Sequence, residues 1–409
     1  MSTISRREFS QLAIALGVSA RSLRAGISID DTLRSGIQRR NIPCVTATVA
    51  TADKITYQGA FGTRDAASRV KVTPDSIFAI ASMTKAVTSA AAMQLVEQGK
   101  ITLDEPASKF LPDLAKLEVI DGFDSAGKPK MHTVRTPITL KHLLTHTSGL
   151  AYPQWSDVLT QYTKATGKSF RPTTVAPMAP LIFEPGTRWH YGFSADWTGK
   201  LVEKISGLTL EQYFQRNILQ PLGMKDTSFI LPAAKFDRLV SKYDRQPDGM
   251  LKEEPRTPPA APADFNGGGG LYSTAGDYVK FMQMILRHGR SPDGKQILQP
   301  KTVDMMSENQ IGNGSAGRLK TQLPELSSDV DVHPGAIDKW GLGFLINTVP
   351  YSGGRSAGSL AWAGIWNTFY WIDPKRQICA AIMMQFLPFV DKQAVGLLGD
   401  FERSVYASA

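Results

Sequence analysis

Apolar positions along this chain change rhythm twice. Residues 28–40 carry the spacing of a short helix with a basic face. Residues 45–50 and 55–62 then alternate as two strands, joined by a turn at Asp53-Lys54. A strand-like run, 76–80, gives way to a helix-like one, 86–98, rich in alanine and stopped by Gly99. From about residue 100 to 335 the pattern is rich in helices and loops, with many Pro and Gly breakers. Residues 139–144, 196–202 and 209–219 carry helical spacing there, the last stopped by Pro221-Leu222-Gly223. After Lys339 the rhythm returns to strands at 340–347, 359–363, 367–372 and 378–385, with Asp373-Pro374 turning between the last two. A final helix is expected over 392–406.

Strands at both ends and helices between them predict an α/β (α+β) fold. The two ends, 26–75 and 336–409, form one antiparallel sheet flanked by helices. Residues 76–335 form an inserted, mainly helical domain, and the cleft between the two is the natural site. No repeat or low-complexity tract interrupts this plan; Gly267 to Gly270 is a single glycine loop.

Composition narrows the class. The chain has 409 residues, 42% hydrophobic and 20% charged, enough for a large core without covalent staples. No apolar run approaches the ~20 residues that cross a bilayer. The net charge of +9 is scattered, with no cationic run longer than Arg6-Arg7 or Arg39-Arg40, and reads as a basic solvated surface, not a nucleic-acid footprint. Two cysteines, Cys44 and Cys379, lie in apolar strand-like runs and read as buried free thiols. Residues 1–25 combine Ser5-Arg6-Arg7-Glu8-Phe9, a short apolar run over 12–18 and the small residues Val18-Ser19-Ala20. That pattern predicts a twin-arginine signal and export to the periplasm; an amphipathic extension of a cytoplasmic protein is the alternative.

The chemistry starts at Ser82-Met83-Thr84-Lys85, where a strand-like run meets a helix-like one. Ser-x-x-Lys on a helix sets both side chains on one face, about a turn apart. A serine hydroxyl is a weak nucleophile until a base takes its proton, and a neighbouring lysine can take it or tune another base. An ordinary helix N-cap is the plainer reading of Ser82. A second match, Ser125-Ala126-Gly127-Lys128, lies in a Gly- and Pro-rich stretch without register. Tyr191, just before the helical run at 196, is a candidate base if a lysine ammonium lowers its phenol; a core tyrosine is the alternative. Trp362-Ala363-Gly364 ends a strand that small residues leave open. The N–H of Ile365 with that of Ser82 can then hold an oxyanion, or Trp362 is simply packed at a strand end.

Two other signals compete. Gly354-Arg355-Ser356-Ala357-Gly358 matches Gly-x-Ser-x-Gly, but a nucleophile elbow needs a strand before it and a helix after it, and here a turn precedes and a strand follows. His142 and His146 have i, i+4 spacing without the Glu or third ligand of a zinc helix, so no metal is expected, and His146 is expected to order its loop by hydrogen bonding.

With these motifs in this order, the chain resembles class C β-lactamase-related serine hydrolases, and more closely the family VIII carboxylesterases and lovastatin-type acyltransferases. The resemblance runs from about residue 28 to the C-terminus. It includes Leu143-Leu144-Thr145-His146-Thr147-Ser148-Gly149-Leu150, Phe183-Glu184-Pro185-Gly186, Asp104-Glu105-Pro106, Pro221-Leu222-Gly223-Met224, Gly268-Gly269-Gly270-Leu271 and Trp371-Ile372-Asp373-Pro374. It implies a β-lactamase/penicillin-binding-protein-like fold, with Ser82 as nucleophile, Lys85 as its partner and Tyr191 as general base. The N–H groups of Ser82 and Ile365 form the implied oxyanion hole, and no cofactor is needed.

Two departures shape the expected substrate. The Lys-Thr-Gly of true class C enzymes is replaced by Trp362-Ala363-Gly364, and a neutral indole cannot pair with a β-lactam carboxylate. The Tyr-x-Asn becomes Tyr191-x-Phe193, which loses an amide beside Lys85. Both favour a neutral, apolar ester. Trp362, Gly364 and Phe193, with Tyr152, Trp155 and Trp366 by analogy, are the expected substrate-binding residues. The expectation is a carboxylesterase acting on short- to medium-chain esters through an acyl-enzyme, with acyl transfer to alcohols as a second outlet. A weak β-lactamase or D-amino-acid peptidase, and a non-catalytic penicillin-binding sensor, are the rivals.

Overall fold

A computed structural model describes residues 28–168, 170 and 178–408. The expected export segment, 1–25, lies outside the described residues.

Seven strands make the central sheet: β1 (Cys44–Thr51), β2 (Ile55–Gly62), β3 (Lys339–Trp340), β4 (Leu345–Ile346), β5 (Leu360–Gly364), β6 (Thr368–Asp373) and β7 (Ile378–Met383). Their order is β3-β4-β5-β6-β7-β1-β2 and each neighbouring pair is antiparallel. The N-terminal hairpin thus docks beside the last strand, with Val49 opposite Ala380.

Both faces of the sheet are covered, which is why β1, β6 and β7 are almost wholly buried apolar runs. Alternation along β6 shows the two layers. Trp371 packs on Phe401 of the C-terminal helix α5 (Lys392–Ala407), with ring centroids 5.6 Å apart. Its neighbour Tyr370 points the other way, 5.0 Å from Tyr278 of α4 (Ala275–Leu286). Helix α1 (Ile29–Arg40) packs on α5 and on the N-terminal hairpin. Helix α4 lies inside residues 76–335, yet it packs directly on β1 and β7.

A buried ion pair fastens the C-terminal helix. Arg355, in the loop before β5, donates three hydrogen bonds to Glu402 of α5, from its backbone N (2.8 Å), Nε (2.9 Å) and guanidinium (2.6 Å). Cys44 and Cys379 are buried free thiols, and burial pushes both up, Cys44 to about 12.

Two expected strands are broken. The run at 340–347 is two short strands separated by Gly341, Leu342, Gly343 and Phe344. A Cβ on Gly341 would lie 2.1 Å from the Met306 carbonyl, and one on Gly343 would lie 2.4 Å from Ser89 Oγ, so close packing interrupts the strand. Of 76–80, only Phe78 and Ala79 pair, with Ser273 and Tyr272. The helical run at 209–219 is also divided, into an α-turn (Leu210–Phe214) and a π-turn (Gln215–Leu219).

Helix α2 (Thr84–Glu97) follows a 3₁₀ turn, Ala81–Met83. It is buried on nearly every side, as an alanine-rich helix must be when it is a central post. Helix α3 (Ser194–Ser206) lies against it. The glycine loop wedges between them: a Cβ on Gly267 would meet the Ala195 carbonyl at 2.6 Å, and one on Gly268 would meet Asp196 Oδ2 at 2.3 Å.

Candidate active site

Ser82 lies in the 3₁₀ turn, one residue ahead of the α2 N-cap, and its side chain does not cap the helix. The turn is held from several sides. Ala79 N–H donates to Gln385 Oε1 (2.9 Å), Tyr278 OH donates to the Met83 carbonyl (2.8 Å), and Leu271 N–H donates to Thr84 Oγ1 (3.2 Å). Ala81, directly before Ser82, has φ of 42°, a left-handed conformation an alanine keeps only where its surroundings enforce it.

One turn on, Lys85 points back at the serine. Its Nζ lies 3.0 Å from Ser82 Oγ, 3.2 Å from Tyr152 OH and 2.5 Å from the Gly268 carbonyl. Lys85 is 2% exposed, and burial lowers its pKa below the ordinary lysine range, with the Asp196 carboxylate partly offsetting this. Asp196 is itself wholly buried; burial raises it and Lys85 draws it back.

Tyr191 completes the group, but not as a phenolate. Burial holds its phenol above the ordinary value, with Ser82 and Trp362 pulling it only part of the way back. The expectation that Lys85 lowers Tyr191 is therefore reversed: in a desolvated site the amine is the group whose neutral form gains. Lys85 Nζ sits over the Tyr191 ring, 4.7 Å from its centroid. Trp362 Nε1 donates to Tyr191 OH at 3.0 Å. Beneath them His146 packs 4.8 Å from the Tyr191 ring and 5.2 Å from the Trp340 ring. His146 does not order its loop through side-chain hydrogen bonding as expected: its Nδ1 is buried without a partner, and burial holds the ring well below the ordinary histidine value, neutral. His142 instead closes a capping box with Thr139.

The expected oxyanion position depends on one glycine. A Cβ on Gly364 would lie 2.3 Å from the Ile80 carbonyl and 2.4 Å from Thr368 Oγ1. Only glycine lets the end of β5 come this close to the segment leading into Ser82. Among the described residues, neither the N–H of Ser82 nor that of Ile365 is spent on another hydrogen bond.

The cleft above this group holds about 440 Å³ and is lined by Ser82, Tyr152, Trp155, Tyr191, Trp362, Ile365 and Trp366, with Leu319, Leu326, Leu387 and Phe389 adding apolar wall. Among the described residues its lining includes Glu254 but no lysine or arginine; Lys242 Nζ lies over the Trp366 ring at 4.7 Å. Phe193 is a correction. It is fully buried under Tyr152, with rings 4.6 Å apart, and does not line the cleft. Gly364 likewise acts by close approach and not as a lining residue.

The competing motifs fall away. Ser356 sits in a loop knitted to the sheet: its N–H donates to Asp373 Oδ2 (2.8 Å) and its carbonyl accepts from Asn347 and Ser359. Among the described residues no histidine is one of its hydrogen-bond partners. Ser125 to Lys128 form the tip of a hairpin, where Asp124 accepts from the Ala126 and Lys128 N–H groups. Sequence reasoning missed Asp196 and Gln385, although a carboxylate amid the apolar Phe193 to Trp197 run is a visible signal.

A β-lactamase family model matches residues 29–398. Monacolin J acid methylbutanoyltransferase from Aspergillus terreus is 33% identical over 407 residues, covering 93% of this chain and 95% of that protein. Lovastatin esterase from Penicillium rubens is 32% identical over 351 residues, covering 81% of this chain and 85% of that protein. Among solved structures, the LovD6 mutant of simvastatin synthase from Aspergillus terreus superposes with a TM-score of 0.80 at 31% identity, covering 96% of this chain and 97% of that one. The fold, the Ser82–Lys85–Tyr191 grouping and these likenesses agree: the chain belongs to the β-lactamase family, as an enzyme of its serine hydrolase and acyltransferase kind.

Proposed function

We propose that the protein is a serine carboxylesterase for short- to medium-chain esters, working through an acyl-enzyme on Ser82. The observation that supports this most is Lys85 Nζ at 3.0 Å from Ser82 Oγ, desolvated, beneath a cleft whose lining among the described residues has no lysine or arginine. Ser82 Oγ attacks the ester carbonyl carbon as its proton passes to neutral Lys85. The N–H groups of Ser82 and Ile365 hold the oxyanion. Tyr191, whose oxygen accepts from Trp362, keeps its own proton for the departing alkoxide and is recharged from the Lys85 ammonium. Water then attacks the acyl-enzyme with the proton transfers reversed.

Acyl transfer to an alcohol uses the same steps, and the relatives named as acyl transferases favour it as a second outlet. Paired assays of the purified protein and Ser82→Ala on p-nitrophenyl butyrate and nitrocefin test the reading. Ester turnover that disappears in the variant, with slow nitrocefin cleavage, supports it. Nitrocefin turnover rivalling the ester points to a β-lactamase or peptidase, and stoichiometric trapping without turnover to a binding protein.

A further inference from the structure

Lys85 can give up its proton acceptor to the wrong partner. A neutral amine has two hydrogens and one lone pair. Three oxygens surround Nζ: Gly268 O (2.5 Å), Tyr152 O (3.2 Å) and Ser82 Oγ (3.0 Å). For the lone pair to face Ser82, both hydrogens must go to Gly268 and Tyr152. The carbonyl of Gly268 can only accept. Tyr152 is ambivalent: its hydroxyl could donate to Lys85 and take the lone pair away from the serine. The structure removes that choice, because Tyr152 OH donates to Asp196 Oδ2 at 3.2 Å. With its one proton committed there, Tyr152 can only accept from Lys85.

We propose that Asp196, acting through Tyr152, is a positioning residue that aims the lone pair of Lys85 at Ser82 and stabilises the ammonium formed when the proton arrives. This rests on the acyl-enzyme reading of Ser82. Asp196 comes from α3, Tyr152 from the loop ahead of Trp155, and Lys85 from α2, so the relay joins three elements across the buried base of the cleft. Tyr152 is 4% exposed and Asp196 0%, which keeps water from replacing either link. The site is built tightly around the carboxylate, since even a Cβ on Gly268 would strike its Oδ2.

The charged and titratable groups around Asp196 are Lys85, Tyr152 and Tyr191, with Asn266 also bonded to the carboxylate. His146, which faces Lys85, is held neutral and adds no charge. Removing the carboxylate charge therefore removes the one anion among the described residues that favours the Lys85 ammonium. The amine then stays neutral to lower pH.

The test uses Asp196→Asn and Tyr152→Phe, with p-nitrophenyl butyrate as probe and circular dichroism and Tm as folding controls. Both variants are expected to lose about tenfold to a hundredfold in kcat with KM within about twofold, because orientation and not binding is lost. In Asp196→Asn the acid limb of kcat/KM also moves to lower pH by about half a unit or more. Folded variants with unaltered kcat and an unmoved limb overturn the proposal. So does a loss in which KM rises in proportion and the limb stays, since that is a structural effect only. If Asp196→Asn does not fold, the kcat-against-KM split in Tyr152→Phe decides alone. If wild-type turnover survives Ser82→Ala, it is the acyl-enzyme reading that has failed, and the relay with it; if Ser82→Ala is dead but the two variants behave as wild type, only the relay is wrong.

Discussion

The indole N–H of Trp362 donates to the hydroxyl of Tyr191 across 3.0 Å, so the residue on β5 that stands where class C enzymes carry a lysine enters the proposed proton-transfer group as a neutral donor. It fixes which way the phenol proton points: the oxygen accepts from Trp362, and the proton is left for the reacting oxygens. Trp362→Phe keeps the ring and its packing 4.8 Å from Trp340 but removes the donor. One neutral hydrogen bond is worth about 0.5–1.5 kcal/mol, so kcat/KM on p-nitrophenyl butyrate is expected to fall about threefold to tenfold. An unchanged rate would show that the indole serves only packing.

The second prediction concerns pH. Burial lowers Lys85, and its neutral form is the proposed base, so kcat/KM is expected to rise with pH through an ionisation below the ordinary lysine range and to fall off on the acid side. Tyr191 shifts the other way and stays protonated through that window. A rate profile whose acid limb appears only in the ordinary lysine range would contradict the assignment.

Gly364→Ala is expected to be far more damaging than its single methyl suggests. The new Cβ would lie 2.3 Å from the backbone carbonyl of Ile80, which cannot step aside as a flexible side chain would. The strand end and the Ser82 segment must part, and the oxyanion donors with them. A loss of about a hundredfold in kcat, with a destabilisation of about 1–3 kcal/mol, is expected from kinetics and thermal melting.

Away from the site, Arg355→Met leaves Glu402 buried with its charge uncompensated. The Arg355 guanidinium also lies over the rings of Tyr351 (4.7 Å) and Trp371 (4.9 Å), so packing is lost with the charge. Urea denaturation is expected to show about 3–5 kcal/mol of destabilisation, much of it recovered when Glu402→Leu is added. If the double variant is no better than the single, the cost lies in packing and not in the orphaned charge.

Ser356→Ala is the matching negative control. The bonds that hold Ser356 use its backbone N–H and carbonyl, so the change is expected to leave activity within about twofold and stability within about 0.5 kcal/mol.

Much of this was legible before any coordinates. Periodicity located the sheet strands at 45–50, 367–372 and 378–385 because both their faces are buried, and the half-exposed edge strand at 55–62 through its alternation and the turn ahead of it. Ser82, Lys85, Tyr191 and Trp362 were legible because chemistry demands those types in that order, and they meet in space. The losses came where close approach overrides local pattern. Gly341 and Gly343 split an apparent strand because the backbone must pass Met306 and Ser89. Phe193 resembled a pocket residue because a sequence motif does not say which way a ring points. Asp196 went unseen because its partners, Tyr152 and Lys85, come from distant segments, and only the fold puts three such groups around one nitrogen.

The docking of the N-terminal hairpin beside β7 has a consequence for how the chain is made. During synthesis β1 and β2 leave the ribosome early, yet the strand that covers the free edge of β1 emerges more than three hundred residues later, where Ala380 meets Val49. Until then the nascent chain holds a hairpin with an unpaired apolar edge, the kind of surface that recruits chaperones or aggregates. Ser82 and the oxyanion strand are separated in the same way. The proposed active site therefore stays unassembled until β5 has been made, and a chain cut short before β7 has neither a complete sheet nor a paired edge on β1.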